Sequence, residues 1–462
     1  MVDFCIYLLY RTGTAIASAL PLGFLFRFGN VLGFLSWLVL WKYRWLAQRN
    51  LEIAFAGEKS KRELRRIARR NFQSGAANLL CGPKLGSMSP KELGRYVEAV
   101  NAEVVHLELR AGRPVIILLS HIGNWEVTGP LVPHYFHYAR VGTVYQKLRN
   151  PYLDQDVNRK RARTGAELFD RSDGFHKPIE LLRSGGLIGI LGDQHAGDHG
   201  LWTPFFGRLA STSPLSALLA KRTGAAVIAL AVYTTGPARW RLVFTPRIDS
   251  PGDSVNSLTL KANETIEQEI RKAPEDWFWV HNRWKTPEPN FLLTHYRRGV
   301  YLGPGVSAND LKPFRILIRG SKGLSDTILS MPAVRAIKEG RPDAHITIAA
   351  PEPITATWKL VPEVNEVISL TGRSLFGAVR LIRQRPLFDV AILFPNSLRA
   401  ALEAWLVGVS RRIGYPGHHR RWLLNQIIGE PTRDEKKKKK KKKRGLIGPP
   451  VDRYSQIARE LA

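Results

Sequence analysis

Val115-Ile116-Ile117-Leu118-Leu119 is an unbroken apolar run, rich in β-branched residues. A strand with one wet face alternates polar and apolar residues, so a continuous run of this length reads as a buried strand. It stops at Ser120, and His121-Ile122-Gly123-Asn124-Trp125-Glu126 follows. A histidine and a carboxylate five positions apart therefore stand where a strand ends. Open α/β sheets put their chemistry at that place. Gly123 and Asn124 supply a tight turn, and Trp125 an apolar wall. Histidine takes a proton from a hydroxyl near neutral pH, and a carboxylate beside it fixes the tautomer and stabilises the imidazolium. Taken alone, the same spacing is also that of a surface pair.

Further strand signals recur at 141–145, 187–191 and 226–232, with helical patterns between them at 152–164, 176–183 and 213–222. Such alternation argues for an α/β layered domain. A helix over 258–272 is ended by Ala273-Pro274. Upstream, 58–73 is densely charged, with Leu64, Ile67 and Phe72 as a sparse apolar stripe. It reads as an exposed amphipathic helix whose basic face is either solvated or a membrane contact. Prolines and glycines crowd 287–313, the mark of a linker. A second α/β unit then opens at Phe314. Its first strand runs through the loop 320–326 into a helix at 327–338, and strands follow at 346–350 and 390–394. That loop has neither P-loop nor dinucleotide-fingerprint spacing.

The chain has 462 residues, 44% of them hydrophobic, enough for two or three domains with proper cores. Two cysteines, Cys5 and Cys81, exclude a disulfide framework or a Cys-rich zinc site and fit a reducing compartment. The formal net charge is +30, and the run Lys436 to Arg444 holds nine of these positive charges, so most of the excess lies elsewhere. Charge of this kind attracts nucleic acid, anionic lipid or phosphorylated substrates. No nucleic-acid-binding motif accompanies it, which argues against nucleic acid. Apolar runs at 13–26 and 28–41, broken by Arg27 and trailed by Lys42, Arg44 and Arg49, point to a membrane. Each run is shorter than the roughly 20 residues of a spanning helix, and no secretory cleavage site follows. The segment either spans once, lies as two helices in one leaflet, or forms a buried hairpin. Trp37, Trp41, Tyr43 and Trp45 beside the cations suit a cytoplasmic membrane face.

Ser120 to Glu126 resembles the His-x4-acid motif of glycerolipid acyltransferases, and more closely that of the bacterial late acyltransferases of lipid A biosynthesis. Further stretches match that family in order: Tyr145 to Tyr152 with Arg161 to Gly165, Gly192-Asp193-Gln194, Thr203-Pro204-Phe205-Phe206-Gly207, and Pro274 to Lys285. The resemblance implies a membrane-anchored α/β acyltransferase domain over roughly 1–290. It implies an acyl carrier protein thioester as donor and, as acceptor, a lipid A precursor, an acylated and phosphorylated glucosamine disaccharide. The family acts at the cytoplasmic face of the bacterial inner membrane. His121 is then the general base, Glu126 its orienting partner, and Arg161 and Asp193 substrate-binding residues. Arg161 meets phosphate, or is one more cation of a basic helix. Backbone N–H groups near Gly123 or Asn124 are candidates for the oxyanion. His195, Asp198 and His199 near Asp193 do not form a recognisable metal motif, and neither metal nor cofactor is expected. No G-x-S-x-G elbow is present, which favours direct transfer over an acyl-enzyme.

Arg315 to Arg319, Leu324-Ser325-Asp326, Met331 to Ile337, Pro342 to Thr347, Asn396 to Ala400 and Arg411 to Tyr415 resemble the first half of lipopolysaccharide heptosyltransferases. The resemblance implies a partial Rossmann-like domain in which Asp326 is the glycosyl-transfer base. Ser325 replaces that family's usual glycine, and the half that holds a nucleotide sugar has no counterpart here. The expected organisation is therefore an anchor (1–50), an acyltransferase domain (51–290), a linker (291–312), a heptosyltransferase-like half (313–430), and a Lys-rich segment with a terminal helix (431–462). Two other functions remain open. One is acylation of another membrane glycolipid or lysophospholipid. The other is a non-catalytic membrane scaffold for core assembly.

Overall fold

The computed structural model describes residues 1–429 except 163, 288–289, 373 and 418. The Lys436 to Lys443 run and the expected terminal helix lie outside the described residues. The chain divides into two compact units, Met1–Lys285 and Thr286–Ala462.

The first unit begins with helices α1 (Val2–Ala19), α2 (Leu22–Val39), α3 (Trp41–Phe55) and α4 (Lys61–Leu85). A capping box opens α4: Ser60 Oγ accepts from the Glu63 N–H, and the Glu63 carboxylate accepts from the Ser60 N–H. The helix is longer than its charged part. Leu64, Ala68, Phe72, Ala77 and Cys81 turn into the core, while Arg62, Arg65, Arg66, Arg69 and Arg70 stay exposed. Helix α2 lies on α4 through Gly29 and Gly33. A Cβ on Gly29 would come within 2.5 Å of Ala77 Cα, and one on Gly33 would overlap the Phe72 carbonyl. Only glycine permits so close a backbone approach.

After the short α5 (Pro90–Leu93), the chain runs β1 (Val97–Val100), α6 (Glu103–Arg110), β2 (Val115–Leu119), α7 (Thr128–Tyr135), β3 (Val141–Tyr145), α8 (Pro151–Ala162), β4 (Glu167–Asp170), α9 (His176–Arg183) and β5 (Leu187–Leu191). A hairpin of β6 (Leu201–Phe205) and β7 (Arg208–Thr212) follows, then α10 (Leu215–Thr223), β8 (Ala226–Gly236), β9 (Arg239–Arg247) and α11 (Val255–Lys272). The sheet order is β1-β9-β8-β2-β5-β3-β4, parallel throughout except for the β8–β9 pair. Strand β2 sits in its middle. Val115, Ile117 and Leu119 enter one core, and Ile116 and Leu118 the other. That two-sided burial is why the run carries no polar residue.

In the second unit come β10 (Phe314–Arg319), α12 (Leu324–Gly340), β11 (Ala344–Pro351), α13 (Glu352–Lys359), β12 (Glu366–Leu370), α14 (Leu375–Arg383), β13 (Val390–Leu393), α15 (Leu398–Val407), β14 (Arg411–Gly414) and β15 (Gln426–Ile427). Its sheet is all parallel, in the order β12-β11-β10-β13-β14-β15. Numbered within the unit this is 3-2-1-4-5-6, the doubly wound order. Part of the stretch expected to be a linker belongs to this unit. Phe291 and Leu292 are buried in its core, Arg341 bonds the Phe291 carbonyl, and Gly340 leaves room for the Leu292 side chain.

Candidate active site

Strands β2 and β5 pair in parallel with Leu119 opposite Leu191. His121 and Asp193 thus each lie two residues beyond a matched strand end. The Asp193 carboxylate takes the His121 backbone N–H on Oδ2 and stands 2.8 Å from the imidazole Nδ1 through Oδ1. The Trp277 indole N–H also donates to Oδ2, at 2.7 Å. An ionised carboxylate only accepts, so Nδ1 of a neutral His121 carries the proton and Nε2 keeps its lone pair. The Gln194 amide nitrogen lies 3.4 Å from Nε2.

Burial is the largest influence on both groups, and it works against their charges. In His121 the Asp193 carboxylate, with a further contribution from Glu126, outweighs burial and raises the pKa above the ordinary histidine value. In Asp193 burial pushes upward, but the His121 charge and hydrogen bonds, with that from Trp277, hold the carboxyl down at about 2.

The geometry differs from the expected arrangement at two groups. Glu126 does not orient His121. It lies in the middle of a turn of 3-10 helix (Trp125–Val127) and points to Arg161, 3.2 Å away, with half of its side chain exposed. Asp193 is the imidazole's partner. Arg161 and Glu126 pair with each other, and the Glu126 charge helps to raise the His121 pKa. The Gly123 N–H is also committed, donating to the Asp276 carbonyl at 2.9 Å, and so does not face an oxyanion. Gly123 adopts φ +55°, and a Cβ there would overlap the Val232 carbonyl oxygen.

The closing block 274–285 and helix α4 hold this loop, a role not legible in the spacing. Ile122 bridges Trp277, and the Phe278 N–H donates to the His121 carbonyl. Asn71 donates to the carbonyls of Glu275 and Trp277. Ser74 and the Thr234 N–H bind the Asp276 carboxylate. Trp277, Trp279 and Trp284 are core residues, and Trp277 adds a polar contact to Asp193. Phe206 and Gly207 form the positive-φ turn of the β6–β7 hairpin. Behind the site, the His195 N–H donates to His281 Nε2, and burial followed by the Arg283 charge lowers the His195 pKa to about 4. Among the described residues no three His, Cys, Asp or Glu side chains converge as a metal site. Asp326 belongs to the second unit, exposed in the first turn of α12 beyond the carboxyl end of β10.

The family profile described as bacterial lipid A biosynthesis acyltransferase matches residues 2–286. The lipid A biosynthesis lauroyltransferase of Escherichia coli K12 is 25% identical over 272 residues, 58% of this chain and 87% of that protein. The phosphatidylinositol mannoside acyltransferase of Mycobacterium tuberculosis CDC 1551 / Oshkosh is 26% identical over 207 residues, 44% of this chain and 65% of that protein. The lipopolysaccharide heptosyltransferase 2 of Escherichia coli K12 is 30% identical over 121 residues, 24% of this chain but only 34% of that protein. The match over 2–286 covers more than half of the sequence. The chain therefore belongs to the bacterial lipid A biosynthesis acyltransferase family and is an O-acyltransferase.

Proposed function

We propose that this enzyme moves a fatty acyl chain from an acyl carrier protein thioester to a hydroxyl of a lipid A precursor, in one direct transfer with His121 as general base. The observation that carries the reading is the His121–Asp193 pair, with Nδ1 held and Nε2 met by the Gln194 amide at 3.4 Å, a contact the substrate hydroxyl replaces. His121 Nε2 takes the hydroxyl proton as the oxygen attacks the thioester carbonyl. The tetrahedral intermediate then expels the thiolate, which recovers that proton from the imidazolium. Asp193 stabilises the imidazolium between these steps. The Gln194 amide is a side-chain donor close enough to meet the oxyanion. Arg161, tethered by Glu126, binds phosphate on the acceptor or on the donor's phosphopantetheine. Cys81 is no alternative nucleophile, since burial pushes its thiol up to about 12.

The enzyme works at the cytoplasmic face of the bacterial inner membrane, held there by its first three helices. Phe4, Leu9, Phe24, Phe28, Phe34 and Leu38 are among the large apolar side chains they expose. Helix α2 is long and apolar enough to span, yet one face rests on α4, whose arginines are unsuited to hydrocarbon. This favours helices lying in one leaflet over a single span. The second unit acts as a docking module for lipopolysaccharide assembly, not as a sugar transferase by itself. A second acceptor reading, a mannosylated phosphatidylinositol, is favoured by the mycobacterial relative.

The test is transfer from labelled acyl-carrier-protein thioester by the purified full chain to a panel of lipid acceptors. His121→Ala should lower kcat on the best acceptor by about 10²- to 10⁴-fold. Turnover near the wild-type rate in that variant defeats the mechanism, and no transfer by wild type to any acceptor restores the scaffold reading.

A further inference from the structure

Helix α4 gathers arginines on one face. Arg62, Arg66, Arg69 and Arg70 are spaced three and four apart, with Arg65 at their edge, so they share one side of the helix. All five are exposed, and among the described residues none has a side-chain ion pair or hydrogen bond. Of the acids nearby, Glu63 closes the Ser60 cap and Glu58 pairs with Arg271. The opposite side of the helix, with Leu64, Ala68, Asn71 and Phe72, is buried. Like charges three and four apart destabilise a helix, and an anion from outside the chain would offset that.

The same stripe runs on through Gln73 and Ala77, and there α2 packs on it, Gly33 against Gln73 and Gly29 against Ala77. Helix α2 thus covers the carboxyl-terminal part of the face whose amino-terminal part carries the arginines. It runs antiparallel to α4, so its own carboxyl end approaches them. On the far side of α2, Phe24, Phe28, Val31, Leu35 and Leu38 are exposed. Trp41, Tyr43 and Trp45, also exposed, follow it with Lys42 among them. Such aromatics sit at the level of lipid head groups, and a helix lying in one leaflet is buried only to the boundary of head groups and acyl chains. The arginines, on the side of α4 that α2 occupies, therefore face the head-group layer. The His121 loop is on the other side. Asn71 and Ser74 hold residues 275–277, and the Asn124 amide reaches the Asn78 carbonyl. An acidic protein docked on the arginines would have α4 between itself and His121, so a lipid surface fits this face better than a carrier protein does.

We propose that Arg62, Arg66, Arg69 and Arg70 form a contact for anionic lipid. Their guanidinium groups take the phosphates of bilayer phospholipids while α2 lays its apolar face into the leaflet beside them. Guanidinium matches phosphate with two parallel hydrogen bonds. The contact makes membrane binding selective for negatively charged lipid. It deepens the membrane location proposed above and rests on it.

Co-sedimentation of the full chain with phosphatidylcholine vesicles, and with vesicles in which phosphatidylglycerol replaces part of that lipid, reads the contact. Wild type should bind the anionic vesicles more tightly, and salt should weaken that preference. The Arg62→Gln/Arg66→Gln/Arg69→Gln/Arg70→Gln variant should lose about a hundredfold or more in affinity for the anionic vesicles. It should keep its affinity for the neutral ones and its circular dichroism spectrum. Lys91→Gln/Arg95→Gln/Lys221→Gln/Arg222→Gln removes the same charge from exposed positions elsewhere and should lose far less. Equal binding of wild type to both vesicles keeps the membrane location and overturns the contact. A loss as large in the second variant as in the first also overturns it, because net charge then accounts for the binding. Undiminished anionic binding in the α4 variant overturns the contact, and a raised KM for acyl carrier protein in that variant then assigns the arginines to the carrier. Binding of wild type to neither vesicle overturns the location and the contact together. Selective loss in the α4 variant, with no acyl transfer by wild type to any acceptor, keeps the contact and rejects the reaction.

Discussion

His121 and Asp193 oppose each other's desolvation, and the direction of their shifts yields a pH prediction. His121 must be neutral to act as a base, and its pKa stands above the ordinary histidine value of about 6.5. The acidic limb of kcat/KM should therefore rise above that pH. Asp193→Asn removes the carboxylate that opposed burial, so the His121 pKa falls and the limb moves to lower pH. The plateau drops as well, because the imidazolium loses its stabiliser. A pH profile of both proteins on one acceptor measures this. A limb that stays in place means another group titrates. Glu126→Gln removes a weaker and more exposed charge and should move the limb in the same direction by less.

At the scale of elements, the site is a strand end closed by a loop that other elements clamp. Gly123 is its tightest point, since a side chain there combines positive φ with overlap of the Val232 carbonyl oxygen. Gly123→Ala should cost about 1–3 kcal/mol in stability. It should also lower kcat, because the peptide that carries His121 must shift. Thermal unfolding together with turnover checks both, and a variant with unchanged melting and turnover shows the loop to be slack. The Asn71, Ser74 and Asp276 bonds explain why so small a displacement matters. They hold the 274–278 backbone against α4, and that backbone holds His121 and Asp193.

Over the whole molecule, exposed apolar side chains of α1 to α3 adjoin Lys42, Arg44 and Arg49. Phe28→Asp combined with Leu35→Asp places two charges on the face of α2 turned away from α4. The double variant should bind anionic vesicles far less tightly and keep its fold, as read by co-sedimentation beside circular dichroism. Undiminished vesicle binding moves the membrane contact away from α2. In the second unit, Asp326 stands at the carboxyl edge of a six-stranded doubly wound sheet, but the similarity covers a third of the heptosyltransferase. Sugar transfer needs donor and acceptor held together, and that proximity supplies much of the rate. Purified protein given nucleotide-activated heptose and a core acceptor should show no turnover. Turnover that vanishes in Asp326→Ala establishes a second activity.

Local pattern carried far in this chain. The unbroken run of β2, the alternation around it and the ordered motifs are properties of neighbouring residues, and they were sufficient for the α/β class, the family and the location of His121 at a strand end. The length of α4 was less legible, because its apolar residues beyond Phe72 come without the charges that marked its start. The partner of His121 could not be read at all. Glu126 is five residues away and Asp193 is 72, so sequence distance favoured a carboxylate other than the one that meets Nδ1 in the fold. Parallel pairing of β2 with β5 brings the two strand ends level, and the turn at Trp125–Val127 carries Glu126 round to Arg161. Strand register is a non-local choice, made by which faces the whole sheet can bury. That choice, and the resulting commitment of the Gly123 N–H to Asp276, belonged to the tertiary structure alone.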